Sequence, residues 1–91
     1  MTIDERRRVY AEAIAHYGEA HQILKVIEEL GEVIAEIPKW VDVDRDNNLW
    51  DEVADAAIVL EQMAMIAGIP DEWLKERIAY KVGRLQGRVG K

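Results

Sequence analysis

Two pairs of carboxylates stand three residues apart in stretches that are otherwise largely apolar. Glu29 and Glu32 lie within VIEELGEVI, and Glu52 and Asp55 within WDEVADAAI. On a helix, an i, i+3 spacing places both members of a pair on one face. Asp55 is flanked by Val53, Ala54, Ala56, Ala57 and Ile58, and an ionised carboxylate buried in such surroundings needs a partner. Acidic pairs at this spacing are common on solvated helices, and this chain has 18 acidic residues. Two pairs set among apolar residues are a less ordinary pattern. If they converge, four carboxylates repel one another and hold protons unless a cation neutralises them. An all-oxygen set suits a hard cation, Mg²⁺ or Mn²⁺, and not zinc or copper. Bundle cores do hold carboxylate metal sites, but the di-iron kind requires Glu-x-x-His couples. Ala13 and Gly18 stand three residues before His16 and His21, so that arrangement is missing. Magnesium keeps positions open for water and phosphate oxygens, which is the requirement of phosphate-cleaving chemistry.

Helices must carry these pairs. Thr2 with Glu5 three residues on reads as a capping box, opening a first helix that runs to about Tyr17 and breaks at Gly18. From Glu19 to Ile37 strong helix formers dominate, and Pro38 is expected to end that second helix. Its apolar residues Ile23, Ile27, Leu30, Ile34 and Ile37 repeat at 4, 3, 4, 3 and predict a core stripe, widened by Val26 and Val33. Val41 to Asn47 has the Asp and Asn content of a loop, after which Asn47 or Asn48 caps a third helix reaching about Ala67. Gly68 takes the C′ position. Pro70 opens a fourth helix from an early helical position, running to about Leu85, and GRVGK reads as a frayed tail. In the third helix every residue from Ala54 to Leu60 except Asp55 is apolar. A helix apolar all round is buried all round, which here predicts a face covered by a second subunit. The expectation is a single all-α domain over residues 1–91, four helices completed by homo-oligomerisation as a dimer or tetramer.

The bulk composition agrees. The chain has 91 residues, no cysteine and 49% hydrophobic residues, which supports a core and excludes disulfides and thiolate metal sites. A formal charge of −6 disfavours long nucleic acid, whereas a small phosphorylated ligand can still bind through a metal. No apolar run reaches the ~20 residues of a membrane span, and MTIDERRRVY has no apolar stretch behind its charges. A soluble, cytoplasmic protein is expected.

The run QILKVIEELGEVIAEI (Gln22 to Ile37), followed by EVADAAIVLEQMA (Glu52 to Ala64), resembles the MazG-like all-α NTP pyrophosphohydrolases. That family carries EExxE, a spacer of one to two dozen residues, and ExxD. Glu28, Glu29 and Glu32 match the first part, and Glu52 and Asp55 the second. The resemblance covers about the middle half of the chain. It implies Mg²⁺-dependent cleavage of a nucleoside triphosphate to monophosphate and pyrophosphate. Glu29, Glu32, Glu52 and Asp55 would hold metal, while Glu28, with Glu29, would serve the catalysis. Relatives also carry a basic stripe in the last helix that meets phosphates, which points to Lys81 and Arg84. The stripe in relatives commonly ends in an N-x-x-R-Y-P-like tail. Here Leu85 stands at the Asn position and the end reads GRVGK, so Arg88 is not carried over.

Lys25, one turn before Glu29, is a candidate for pairing with the carboxylates or with a phosphate. Trp40 stands where some relatives stack the base, and Trp50 is a second candidate platform that reads more readily as packing; Trp73 reads as packing, His16 as structural, and His21 as structural or at a pocket edge. The site is expected between the second, third and fourth helices. Two rivals remain from the sequence: a non-catalytic helical metal-binding or interaction module, and a metal-dependent hydrolase of another phosphate ester.

Overall fold

Helix-forming runs and glycine punctuation give four helices in the computed structural model, which describes residues 1–42 and 48–90: α1 (Ile3–Tyr17), α2 (Glu19–Asp42), α3 (Leu49–Ile66) and α4 (Asp71–Val89). The Thr2 hydroxyl oxygen accepts from the Glu5 backbone N–H at 3.1 Å and caps α1. Its hydroxyl also faces the Glu5 carboxylate at 3.1 Å, so the two side chains bond each other instead of closing a reciprocal box. Gly18, at φ +92°, makes the bend into α2 that a side chain would resist. At the end of α3, Gly68 N–H donates to the Met65 carbonyl at 3.1 Å and Ile69 N–H to the Ala64 carbonyl at 2.9 Å. With Gly68 at φ +71°, this is the Schellman pattern expected of a C′ glycine.

Three boundaries differ from expectation. Pro38 lies inside α2, which continues to Asp42. Proline removes one backbone hydrogen bond, and its exposed position leaves the freed carbonyl to solvent. Val41 and Asp42 are therefore helical, and the rest of the expected loop, including Asn47, lies outside the described residues. Asn48 is the N-cap of α3 with no side-chain cap bond. Pro70 is the N-cap of α4, extended at ψ 139°, rather than a residue of its first turn. The helix then runs on through Gly87 to Val89, so the tail does not fray at Leu85.

Helices α2 and α3 pack along their lengths, and α1 lies against one end of the pair. The buried side chains are Tyr10, Gln22, Val26, Ala56, Val59 and Gln62. On α2 the inward line is thus Gln22, Val26, Glu29, Val33, Glu36 and Trp40, again spaced 4, 3, 4, 3, 4. It sits one residue away from the expected stripe. Ile27 and Ile34 are 64% and 70% exposed, and Ile37 is exposed as well. The third helix is likewise not buried all round: Val53, Ile58 and Leu60 are exposed, and Trp50 is 84% exposed. Trp73 is also exposed.

Helix α4 departs most from a bundle. No Cα atom of α4 comes within 8 Å of one in α1, α2 or α3 among the described residues, whereas packed helices run with axes 8–10 Å apart. Among the described residues its first turns are held by the Arg7–Asp71 ion pair at 2.6 Å and by Leu74 and Ile78 facing Ile3 and Met65 across a cavity of about 240 Å³. The radius of gyration is 15.8 Å, against about 12 Å for a compact chain of this length. The accessible surface is 7080 Å², against roughly 5,400 Å² for a folded monomer of this mass. No helix of the described residues is long and apolar enough to cross a membrane.

Candidate metal centre

Glu29 occupies the inward line of α2 and Glu52 that of α3, so packing the two helices brings the carboxylate pairs together. Two sets of ligand atoms result, each within 4.8 Å of one another: Glu28, Glu29 and Glu32, and Glu29, Glu52 and Asp55. Glu29 is common to both. All five residues singled out from the sequence fall in these sets.

The electrostatics are those of an uncompensated cluster. The Glu29 carboxyl is raised above its ordinary value chiefly by burial, then by Glu32, Asp55 and Glu28. Glu52 is pushed up to about 7, first by a hydrogen bond with Glu32, then by burial and by the charges of Glu32, Asp55 and Glu29. One oxygen of each, Glu29 Oε2 and Glu52 Oε2, is buried with no hydrogen-bond partner among the described residues. Two ionised carboxylates have no proton to share, so the Glu32–Glu52 approach becomes a hydrogen bond only when one is protonated. Either a proton or a cation must fill that role.

Asp55 is exposed, contrary to the burial expected from its neighbours, because those neighbours on either side are largely exposed too. It therefore reaches the centre from the solvent side. Lys25 pairs with Glu28 at 3.4 Å, not with Glu29; the i, i+3 partner faces it. Trp40 is half-buried on the inward line of α2, eight residues and roughly 12 Å of helix beyond Glu32. Lys81, Arg84 and Arg88 line a shared surface hollow on α4, and α4 does not lie over the carboxylates in this chain. The expected site between α2, α3 and α4 is thus built, within one chain, by α2 and α3 alone.

No family model, no curated protein and no solved structure matches the chain. The centre is accordingly read from its own chemistry.

The residues present fit a hard divalent cation. The donors are all carboxylate oxygens, they converge on a short span, and two of them are buried and orphaned. The cavity under α4 is lined mainly by apolar side chains, together with Arg7, Glu61, Asp71 and Lys75. It lies at the other end of the α2–α3 pair and gathers no carboxylate set, so it is a gap under a projecting helix and not the site.

Two polar clusters lie beyond the apolar periodicity of the sequence. Gln22 Nε2 donates to Gln62 Oε1 at 2.8 Å in the interior. Tyr10 Oη donates to Glu61 at 3.0 Å, and Arg6 Nε to the same carboxylate at 3.2 Å. The signal of the first is a polar residue on the 4, 3 spacing that leads from Gln22 to Val26 and Glu29. His21 adds to it, its Nδ1 lying 2.7 Å from Gln22 Oε1.

Proposed function

We propose that this chain is a Mg²⁺-dependent nucleoside triphosphate pyrophosphohydrolase, acting as a homo-oligomer and releasing nucleoside monophosphate and pyrophosphate. The observation that carries the reading is the pair of carboxylate sets hinged on Glu29. They unite the residues that EExxE and ExxD mark in the sequence.

Glu29, Glu32, Glu52 and Asp55 would hold the ion, with Mn²⁺ an alternative occupant. Bound Mg²⁺ would withdraw charge from the phosphate oxygens and offset the charge that develops as the anhydride breaks. The chain's own residues do the rest. Glu28 is exposed at the edge of the centre, so water reaches it, and Lys25 holds its carboxylate at 3.4 Å. As water adds to the α-phosphorus and the α–β bridging bond breaks, Glu28 accepts the water's proton. No side-chain nucleophile is required, in keeping with a chain that has no cysteine. By the resemblance, Lys81 and Arg84 would supply cations for the triphosphate and Trp40 a ring on which the base stacks, although within one chain α4 does not lie over the carboxylates. The surplus of exposed surface supports association between copies.

The test is to incubate the protein with a panel of NTPs and dNTPs, with and without Mg²⁺, and identify the products. Monophosphate with pyrophosphate, lost in Asp55→Ala, is the expected result. Orthophosphate alone would indicate a different phosphohydrolase. Mg²⁺ binding with no turnover would leave the non-catalytic interaction module, which the exposed apolar residues of α2 and α3 also suit.

A further inference from the structure

Three helices wall the cavity under α4. The turn at Gly68 and Pro70 carries the chain off α3 and into α4. On α4, Leu74 and Ile78 stand one turn apart, as do Asp71 and Lys75. From α1 come Ile3 and Arg7 at the same spacing, and from α3 Glu61, Ala64 and Met65 at i, i+3, i+4. Ala64 offers only a methyl group, which leaves space that a longer side chain would fill. The cavity measures about 240 Å³. An apolar cavity of about 150 Å³ takes up benzene, so this one has room for a six-membered ring and a short polar arm. Ile3, Ala64, Met65, Ile69, Leu74 and Ile78 supply apolar contact. Ile3 and Ile78 are still 37% and 53% exposed, surface that a ligand gains by covering.

The charges on this cavity are not equally free. Asp71 receives Arg7 at 2.6 Å. Glu61 receives the Tyr10 hydroxyl at 3.0 Å and Arg6 at 3.2 Å. Both acids are matched from within the chain, so a cationic ligand would have to displace an arginine. Lys75 is differently placed. It pairs with Glu72 at 3.8 Å, and the two side chains are 74% and 81% exposed, a contact of little strength. Its ammonium group can therefore turn to a ligand. Apolar walls, matched acids and one available cation select an anion with an apolar body.

We propose that the cavity between α1, α3 and α4 binds a small organic monocarboxylate, its ring between Met65 and Leu74 and its carboxylate on Lys75. A single charge is what the walls accept. One cation matches it, whereas the second charge of a dianion would stand against Glu61 and Asp71. Bound there, the ligand joins α4 to the body, because Leu74 and Ile78 face Ile3 and Met65 across the space that it fills. The site is separate from the carboxylate centre: Met65 lies ten residues, roughly 15 Å of helix, beyond Asp55. It stands whether or not the chain hydrolyses nucleotides.

The test is a titration followed by methyl NMR, with benzoate, benzyl alcohol and acetate as probes. Benzoate is expected to shift the methyl resonances of Ile3, Ala64, Met65 and Leu74 saturably, and acetate to leave them in place at the same concentrations. Lys75→Met alters an exposed position and should keep the fold. It should weaken benzoate about tenfold, the effect of one hydrogen bond to a charged group, while benzyl alcohol binds both chains alike. In Ala64→Leu the longer side chain takes up the space, and both ring compounds should lose their binding with helix content unchanged. At saturating benzoate the backbone amides of residues 74–78 should exchange with solvent several-fold more slowly. The anion site is overturned by shifts that do not saturate or by acetate acting as strongly as benzoate. Equal benzoate affinity in wild type and Lys75→Met, or undiminished binding by folded Ala64→Leu, also overturns it. Saturable binding with unchanged amide exchange would overturn the joining of α4 to the body.

Discussion

The two ends of the α2–α3 pair handle polar groups in opposite ways. At one end, Gln22 and Gln62 meet in the interior at 2.8 Å, and Glu61 receives Tyr10 and Arg6 from α1. These donors and acceptors are matched. At the other end, Glu29 and Glu52 stand on the same inward lines, and each keeps a buried oxygen with no partner among the described residues. Folding sacrifices hydration at both ends, but only at the first do the described residues supply the partners. A matched buried network fixes how helices sit. An unmatched one, made only of acceptors, sets up a place for something positive. The matched end thus holds the fold, and the unmatched end is the one where we propose that a cation binds.

The sharpest way to break the distinction is to remove a member from each end. Asp55→Ala and Glu32→Ala are expected to lower Mg²⁺-dependent turnover by more than ~100-fold, beyond what outer partners of a metal site cost. Gln62→Ala is expected to leave kcat within about twofold while lowering stability. Equal losses of activity from both ends, measured as kcat at saturating Mg²⁺, would abolish the contrast.

Mg²⁺ should itself act on one end only. At a concentration 100 times its Kd, a ligand that binds the folded state adds about 2.7 kcal/mol. For a domain of this size that corresponds to a rise in Tm on the order of 10–20 °C. Asp55→Asn should lose the rise and Gln62→Ala should keep it. An unchanged wild-type Tm at tens of millimolar Mg²⁺ would mean that the carboxylates do not converge on an ion.

Much of this architecture is legible in the sequence because the signals are local. Thr2, Gly18 and Gly68 mark termini by their own backbone chemistry, and the i, i+3 carboxylates share a face whatever the helix packs against. The face that turns inward is not a local property. Ile23, Ile27, Leu30, Ile34 and Ile37 form the more apolar stripe, yet α2 presents the neighbouring line to α3, where Val26 is buried on one helix and Ala56 and Val59 on the other. An apolar stripe looks the same in sequence whether or not the chain's own core covers it. The course of α4 was hidden for a similar reason, since nothing in Asp71–Val89 states whether its apolar stripe is covered in cis. Pro38 misleads in the other direction, because a proline ring on an exposed helix face leaves a carbonyl that water can satisfy.

The Gln22–Gln62 pair offers a test at smaller scale. Gln62→Ala leaves the Gln22 amide buried without its partner, a cost of about 1–3 kcal/mol. Replacing both with leucine removes the unmatched group along with the bond and should be nearly neutral or stabilising. Denaturant unfolding of the single and double variants gives both numbers. A double variant as unstable as the single would show that the amides hold the helices in a way that leucine packing cannot replace.

A pH dependence is also expected at the carboxylate end. In the folded chain Glu52 binds its proton up to about pH 7, whereas an ordinary glutamate releases it near 4.5. Between these values the folded state holds more protons than the unfolded one, so stability falls as pH rises and levels off above about 7. Glu29 is shifted in the same direction by burial and its neighbours and adds to the fall. The Glu52→Gln side chain is permanently neutral. Without metal, the difference in Tm between this variant and wild type should grow in the variant's favour from pH 4.5 to pH 7 and then stay constant. Comparing the two profiles cancels the titrations they share, including those at the Glu61 end. Saturating Mg²⁺ should flatten or invert the difference, since the cation takes the proton's place in wild type and the variant's amide offers it no charge. A difference that stays flat without metal would mean that solvent separates the Glu32 and Glu52 carboxylates, and the contrast between the two ends would then rest on geometry alone.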